Sequence, residues 1–146
     1  MSGSRLSRER LSIGTVFYYR DFEGHTRTKD RYFIVVGVDD TAFFCFNTST
    51  SSFLIIGHPY LSSSVTPLIP NGSECFRKDC VVDCTELVVF DDILMSNYLN
   101  SGRVTVEGTL SGKGLKLVAD VVNKSSVLDE RERAMILASL QRLLEE

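Results

Sequence analysis

No apolar run in the 146 residues approaches the ~18 that a membrane-spanning helix needs. The opening MSGSRLSRERLS has no apolar core of a secretory signal. A cytoplasmic protein with free thiols is therefore expected, since reducing compartments keep cysteines unpaired. Histidine is scarce, with only His25 and His58. The four cysteines do not spell a metal site: Cys75-x4-Cys80-x3-Cys84 misses the C-x2-C spacing of structural zinc. Cys80 and Cys84 alternate with valines, and Cys45 sits inside FFCF, as small core residues do. There is no GxGxxG and no P-loop, because Gly112-Lys113-Gly114 lacks both the preceding strand and the spacing. The acidic pairs Asp39-Asp40 and Asp91-Asp92 suit a turn and a helix cap, and Asp83 and Glu86 do not converge with them on one site. The expectation is no metal and no cofactor.

What is present is a soluble balance, 43% hydrophobic with 24% charged, at the length of one ordinary domain. Net charge is −3, which excludes a bulk binder of long duplexes. The distribution is uneven. Residues 1–31 carry seven Lys/Arg against four acids, a surplus of +3, so the remainder carries −6. A locally basic edge on an acidic chain suits an enzyme that grips a few phosphates. Residues 1–11 are read as a flexible basic arm and 12–146 as a single domain, without internal repeats or a long low-complexity tract.

The first half reads as strands: Thr15–Arg20, the near-continuous apolar run 31–38, residues 42–47 after a tight turn at Asp39-Asp40, and Phe53–Ile56. Residues 57–74 hold all three prolines and form a loop, and 79–83 make a further short strand. Helices follow. Asp91 or Asp92 caps ILMSNYLN, which Gly102 ends. Ser111 precedes GKGLKLVADVVN, and Ser126 with Asp129 outlines a capping box before DERERAMILASLQRLLEE. Close turns between short strands predict a small antiparallel β-barrel, α+β in class, with C-terminal helices packed on it.

Chemistry gathers at two strand ends. Arg31 begins one strand and Thr48 lies just past the end of the next, at similar offsets of eight or nine residues from the turn. Antiparallel pairing therefore brings the two positions together. Arginine supplies a planar fork for phosphate and threonine a hydroxyl to orient it. His25, Arg27 and Lys29 lie in the loop leading into the first strand, with His25 a possible proton shuttle near neutral pH.

The order GTVFYYRDF, polar loop, KDRYFIVVGV and FFCFNTS resembles the PemK/MazF-like toxins. Gly14 opens the first strand, Arg31 stands at the family's basic position, and Thr48-Ser49 stand at its Thr-Ser pair. CVVDCTEL and GRVTVEGTLS resemble later segments, so the likeness spans most of residues 12–140. Tyr32 replaces the usual proline and Thr15 the usual aspartate, while the hydroxyl run to Ser52 leaves Ser49 or Thr50 as alternative matches. The resemblance implies an SH3-like barrel that dimerises and cleaves single-stranded RNA without a metal, by attack of the neighbouring 2′-hydroxyl. It implies Arg31 as general acid or oxyanion stabiliser and Thr48 as phosphate-positioning residue. His25, Arg27, Lys29, Ser49 and Thr50 would contact RNA, and a cognate antitoxin would be the protein partner, with no membrane involved. The alternative is a barrel that binds a protein or nucleic acid without catalysis.

Overall fold

The structure, a computed structural model, describes residues 6–23, 28–49, 66 and 81–145, with the side chains of residues 23, 28, 29 and 49 outside that set. Its elements are α1 (Leu6–Arg10), β1 (Thr15–Glu23), β2 (Thr28–Val38), β3 (Ala42–Ser49), β4 (Val81–Asp91), α2 (Asp92–Ser101), β5 (Val104–Thr109), α3 (Gly112–Asn123) and α4 (Glu130–Leu144). The strands form one antiparallel sheet in the order β4-β3-β2-β1-β5.

The apolar run of β2 is explained by burial on both faces. Tyr32, Ile34 and Val36 enter a core shared with Leu115, Val118 and Val122 of α3 and Ile136 and Leu140 of α4. Phe33 and Val35 enter a second core with Phe17, Tyr19, Phe43 and Phe90, closed by Met95 and Leu99 of α2. The class is thus α+β, with helices against each side of the sheet.

The expected closed barrel is not what forms among the described residues. The sheet stays open, with β4 and β5 as its edges. The reason lies in α2, which leaves the end of β4 and delivers the chain to β5 at the other edge while burying Met95 and Leu99 beneath the sheet. A helix ~10 Å across holds those edges apart. Every strand pairing nevertheless carries a bulge or register shift, so the sheet is bent rather than flat.

Local signals place most helix ends. Asp91 caps α2 by accepting from the Leu94 N–H at 2.9 Å, and Gly102 closes it at φ 85°. Ser111 caps α3 through the Gly114 N–H. The capping box of α4 sits three residues beyond the expected Ser126, with Asp129 and Glu132 exchanging bonds of 2.7 and 3.3 Å. Buried Ser125 explains the shift: its Oγ accepts from the Val127 and Leu128 N–H groups, building a turn that buries Leu128. At the β2–β3 turn the Thr41 N–H donates to Asp39 and, with help from the Ala42 N–H, holds its carboxyl below the ordinary aspartate range. Ionised Asp39 is thereby favoured in the folded state, a contribution present above the unfolded carboxyl's pKa and lost as pH falls through the lowered one.

Three expectations are corrected or displaced. The strand foreseen at 79–83 is β4, which starts at Val81 and runs on to Asp91. VTVEGT, given no strand of its own, pairs with β1 as β5. Residues 6–10, read as part of a flexible arm, form α1. There Ser7 is buried and its Oγ donates to the Asp92 carbonyl, Arg8 pairs with the buried Asp92 carboxylate at 2.9 Å, and Leu11 enters the core. The strand foreseen at Phe53–Ile56 lies outside the described residues.

Two stability outcomes follow from these contacts. Asp129→Ala should lower the urea midpoint by the equivalent of about 1 kcal/mol, the usual worth of an N-cap, and Ser126→Ala by less than about 0.5. Arg8→Ala should cost about 1.5–3 kcal/mol, because the Asp92 carboxylate loses a charged hydrogen-bond donor. An unchanged midpoint would mean that α1 is not docked in solution.

Candidate functional site

One end of the sheet gathers the last residues of β1 and β3 and the first of β2, β4 and β5. Register sets what meets there. Tyr19 faces Arg31 on one side and Val104 on the other, Phe33 faces Asn47, and Thr48 faces Val82. Continuing the β2–β3 register outward puts Tyr32 opposite Thr48 and Arg31 opposite Ser49. Arg31 and Thr48 are therefore neighbours in the sheet, but alternation sends their side chains to opposite faces. Arg31 shares the face of Phe33 and Asn47, and Thr48 that of Tyr32 and Phe46.

Thr48 is 5% exposed, and its Oγ donates to the Tyr32 carbonyl at 3.1 Å. On its far side Val82 is also bonded by Thr66, whose N–H donates to the Val82 carbonyl and whose Oγ accepts from the Val82 N–H. Thr48 thus ties β3 to β2 one residue from Arg31.

Arg31 is half-buried and makes no hydrogen bond or ion pair among the described residues. Its Nε is fully buried without an acceptor, and the buried Oδ1 of Asn47, diagonal to it on the same face, has no donor. A buried polar atom left unpaired costs about 1–3 kcal/mol, so an orphan donor and an orphan acceptor on one face call for a further polar group, a water or a ligand, to meet them. The nearest acid does not neutralise Arg31. Asp30 is turned to the Tyr18 face, accepting from the Tyr18 hydroxyl at 2.8 Å and the Asp21 N–H at 2.9 Å.

A second basic feature flanks this one. The Arg20 N–H donates to the Arg103 carbonyl, and the two side chains leave on opposite faces of the sheet, Arg20 with Tyr18 and Arg103 with Tyr19. The Arg103 guanidinium lies 5.5 Å from the Tyr19 ring centre and 4.9 Å from that of Tyr98, while that of Arg20 lies 5.4 Å from Tyr18. Sequence reasoning missed Arg103, Tyr98 and Asn47, since only the β5 pairing and the α2 packing bring them to this end. The Val-Thr-Val alternation after Arg103 was the available signal.

Of the other foreseen RNA contacts, His25, Arg27 and Thr50 lie outside the described residues, as do the side chains of Lys29 and Ser49; the Lys29 backbone pairs with Phe22. His58, Cys75 and Cys80 lie outside as well. Cys45 and Cys84 are buried in different cores, where burial pushes both thiols up. Among the described residues no group of three or more His, Cys, Asp or Glu could hold a metal, and no helix is long and apolar enough to cross a membrane. A shallow depression lined by Ile13, Ser139, Arg142 and Leu143 lies at the opposite end of β1. No protein-family model matches the chain, and no curated protein matches it significantly.

The Thr48 bond makes a testable difference between near-isosteres. Thr48→Val should lower stability by about 1 kcal/mol, because the buried Tyr32 carbonyl loses its donor, and Thr48→Ser should recover most of that loss. Equal urea midpoints for the two variants would show that the hydroxyl is not held there.

Proposed function

We propose that the chain is a PemK/MazF-like endoribonuclease on an SH3-like, partly curled sheet, cutting single-stranded RNA without a metal at the end that carries Arg31. The observation that supports this most is the unclaimed guanidinium, with its Nε buried beside the unpaired Oδ1 of Asn47. A phosphodiester would satisfy the fork of Arg31, and the Asn47 carbonyl oxygen would accept from a ribose hydroxyl. The bends in the sheet support the likeness in fold.

The step is an internal transesterification. The 2′-oxygen bonds to phosphorus, the bond from phosphorus to the 5′-oxygen breaks, and the 2′-hydroxyl proton ends on the departing oxygen. A 2′,3′-cyclic phosphate remains. A guanidinium offers fixed donors and parts with a proton reluctantly, so the arginine at this position suits stabilisation of the pentavalent oxyanion better than proton donation. His25, in the preceding loop, is the group suited to move the proton. Thr48 acts through position: its bond to the Tyr32 carbonyl holds the backbone next to Arg31. A homodimer and an antitoxin whose acids meet Arg27, Lys29 and Arg31 complete this reading.

A second reading, a module that binds without cutting, is favoured by the Thr48 hydroxyl, which is buried and already engaged. Incubating folded protein with mixed-sequence single-stranded RNA in EDTA separates the two. Wild type should yield cyclic-phosphate ends, and Arg31→Ala should lose at least about 10²-fold in rate, as expected when an oxyanion-stabilising group is removed. Intact RNA with the folded wild type would sink the nuclease and leave the binding module.

A further inference from the structure

We propose that Arg103, with Tyr98 beneath it, forms a second phosphate-binding position. It would carry single-stranded RNA from Arg31 over the rim of the sheet between β1 and β5. The proposal rests on the RNA-binding reading above and extends it to residues outside the resemblance.

Three observations carry it. First, Arg103 lies on the face of Tyr19, the face that Arg31 shares with Phe33 and Asn47, and it has no acidic partner among the described residues, so two cations flank Tyr19 on one face. Second, Arg103 is oriented in advance. Its Nε donates to the Arg20 carbonyl at 3.3 Å and its Nη2 to the Asp21 carbonyl at 3.2 Å, while the guanidinium lies over the rings of Tyr98 and Tyr19. Nη1 makes no bond among the described residues, leaving a donor for an anion. Third, the backbone that presents this site is strained. Asp21 has φ 57°, at a register shift of β1, and is held by the Asp30 carboxylate on its N–H and by Arg103 on its carbonyl. Bulges and left-handed non-glycine residues gather where a side chain must be aimed.

Arg103 and Arg31 stand on either side of β1, about two strand spacings or ~10 Å apart along the sheet. A cation beside a part-exposed aromatic ring suits single strands, whose bases stack while phosphates are gripped. Tyr98 is the ring placed to take a base.

The test is fluorescence anisotropy with a labelled mixed-sequence RNA whose 2′-hydroxyls are all methylated, so that it cannot be cut, over a salt series. Arg103→Gln should weaken binding about tenfold and flatten the salt dependence by about 0.7 in log–log slope for the lost contact. Arg103→Lys should restore the slope but not the affinity, because lysine cannot stack as the guanidinium does. Arg131→Gln, an exposed charge on α4, should change neither. Should Arg103→Gln fail to fold, Arg103→Lys carries the measurement, read as a loss of affinity at unchanged slope. Wild-type binding that weakens in Arg31→Gln but not in the Arg103 variants would overturn the second position and leave the first. A wild type that binds no RNA would overturn both.

Discussion

The structure depends on the burial of β2 on both faces. Phe33 and Val35 look into one core, Tyr32, Ile34 and Val36 into the other, and all five are nearly or fully buried. A strand so placed can expose polar groups only at its ends, because a charge in the middle would be desolvated on whichever side it faced. The chemistry of this protein is thus confined to a rim. Arg31 is the first β2 side chain before the apolar run, and it keeps its guanidinium at the boundary while its Nε is already under cover.

That rim explains how an acidic chain can offer a basic surface. Arg20, Arg31 and Arg103 come from three neighbouring strand ends, Arg31 and Arg103 on one face of the sheet and Arg20 on the other. Rings of Tyr18, Tyr19 and Tyr98 cover two of these guanidiniums, replacing part of the solvation that a carboxylate would otherwise provide. The field is local, which suits contact with a few phosphates more than attraction along a duplex.

Features governed by a few adjacent residues were legible in the sequence. Asp91, Gly102 and Ser111 bound their helices because a cap needs only its own turn. The neighbourhood of Arg31 and Thr48 followed from equal distances to one turn, but the two-residue period that sends them to opposite faces was not applied. Ser126 looked like a cap because its hydroxyl precedes an acid by three residues; buried Ser125 had already shaped that turn. The open sheet was illegible for a different reason. Whether β5, paired with β1, also reaches β4 to close the sheet turns on long-range packing such as that of α2, a non-local matter that no window of sequence records. For the same reason Arg103 and Tyr98 stayed out of view, and α1 revealed itself only through Asp92, more than eighty positions away.

The left-handed backbone at Asp21 has a wider meaning for the chain. Glycine would adopt φ 57° without steric penalty, so Asp21→Gly would relieve the local strain while a freer unfolded chain offsets part of that gain. That relief would come with a looser hinge: the Asp21 carbonyl that steadies Arg103 would wander with the freed backbone. Robustness and aim pull this residue in opposite directions, and the aspartate marks the side on which this protein has settled.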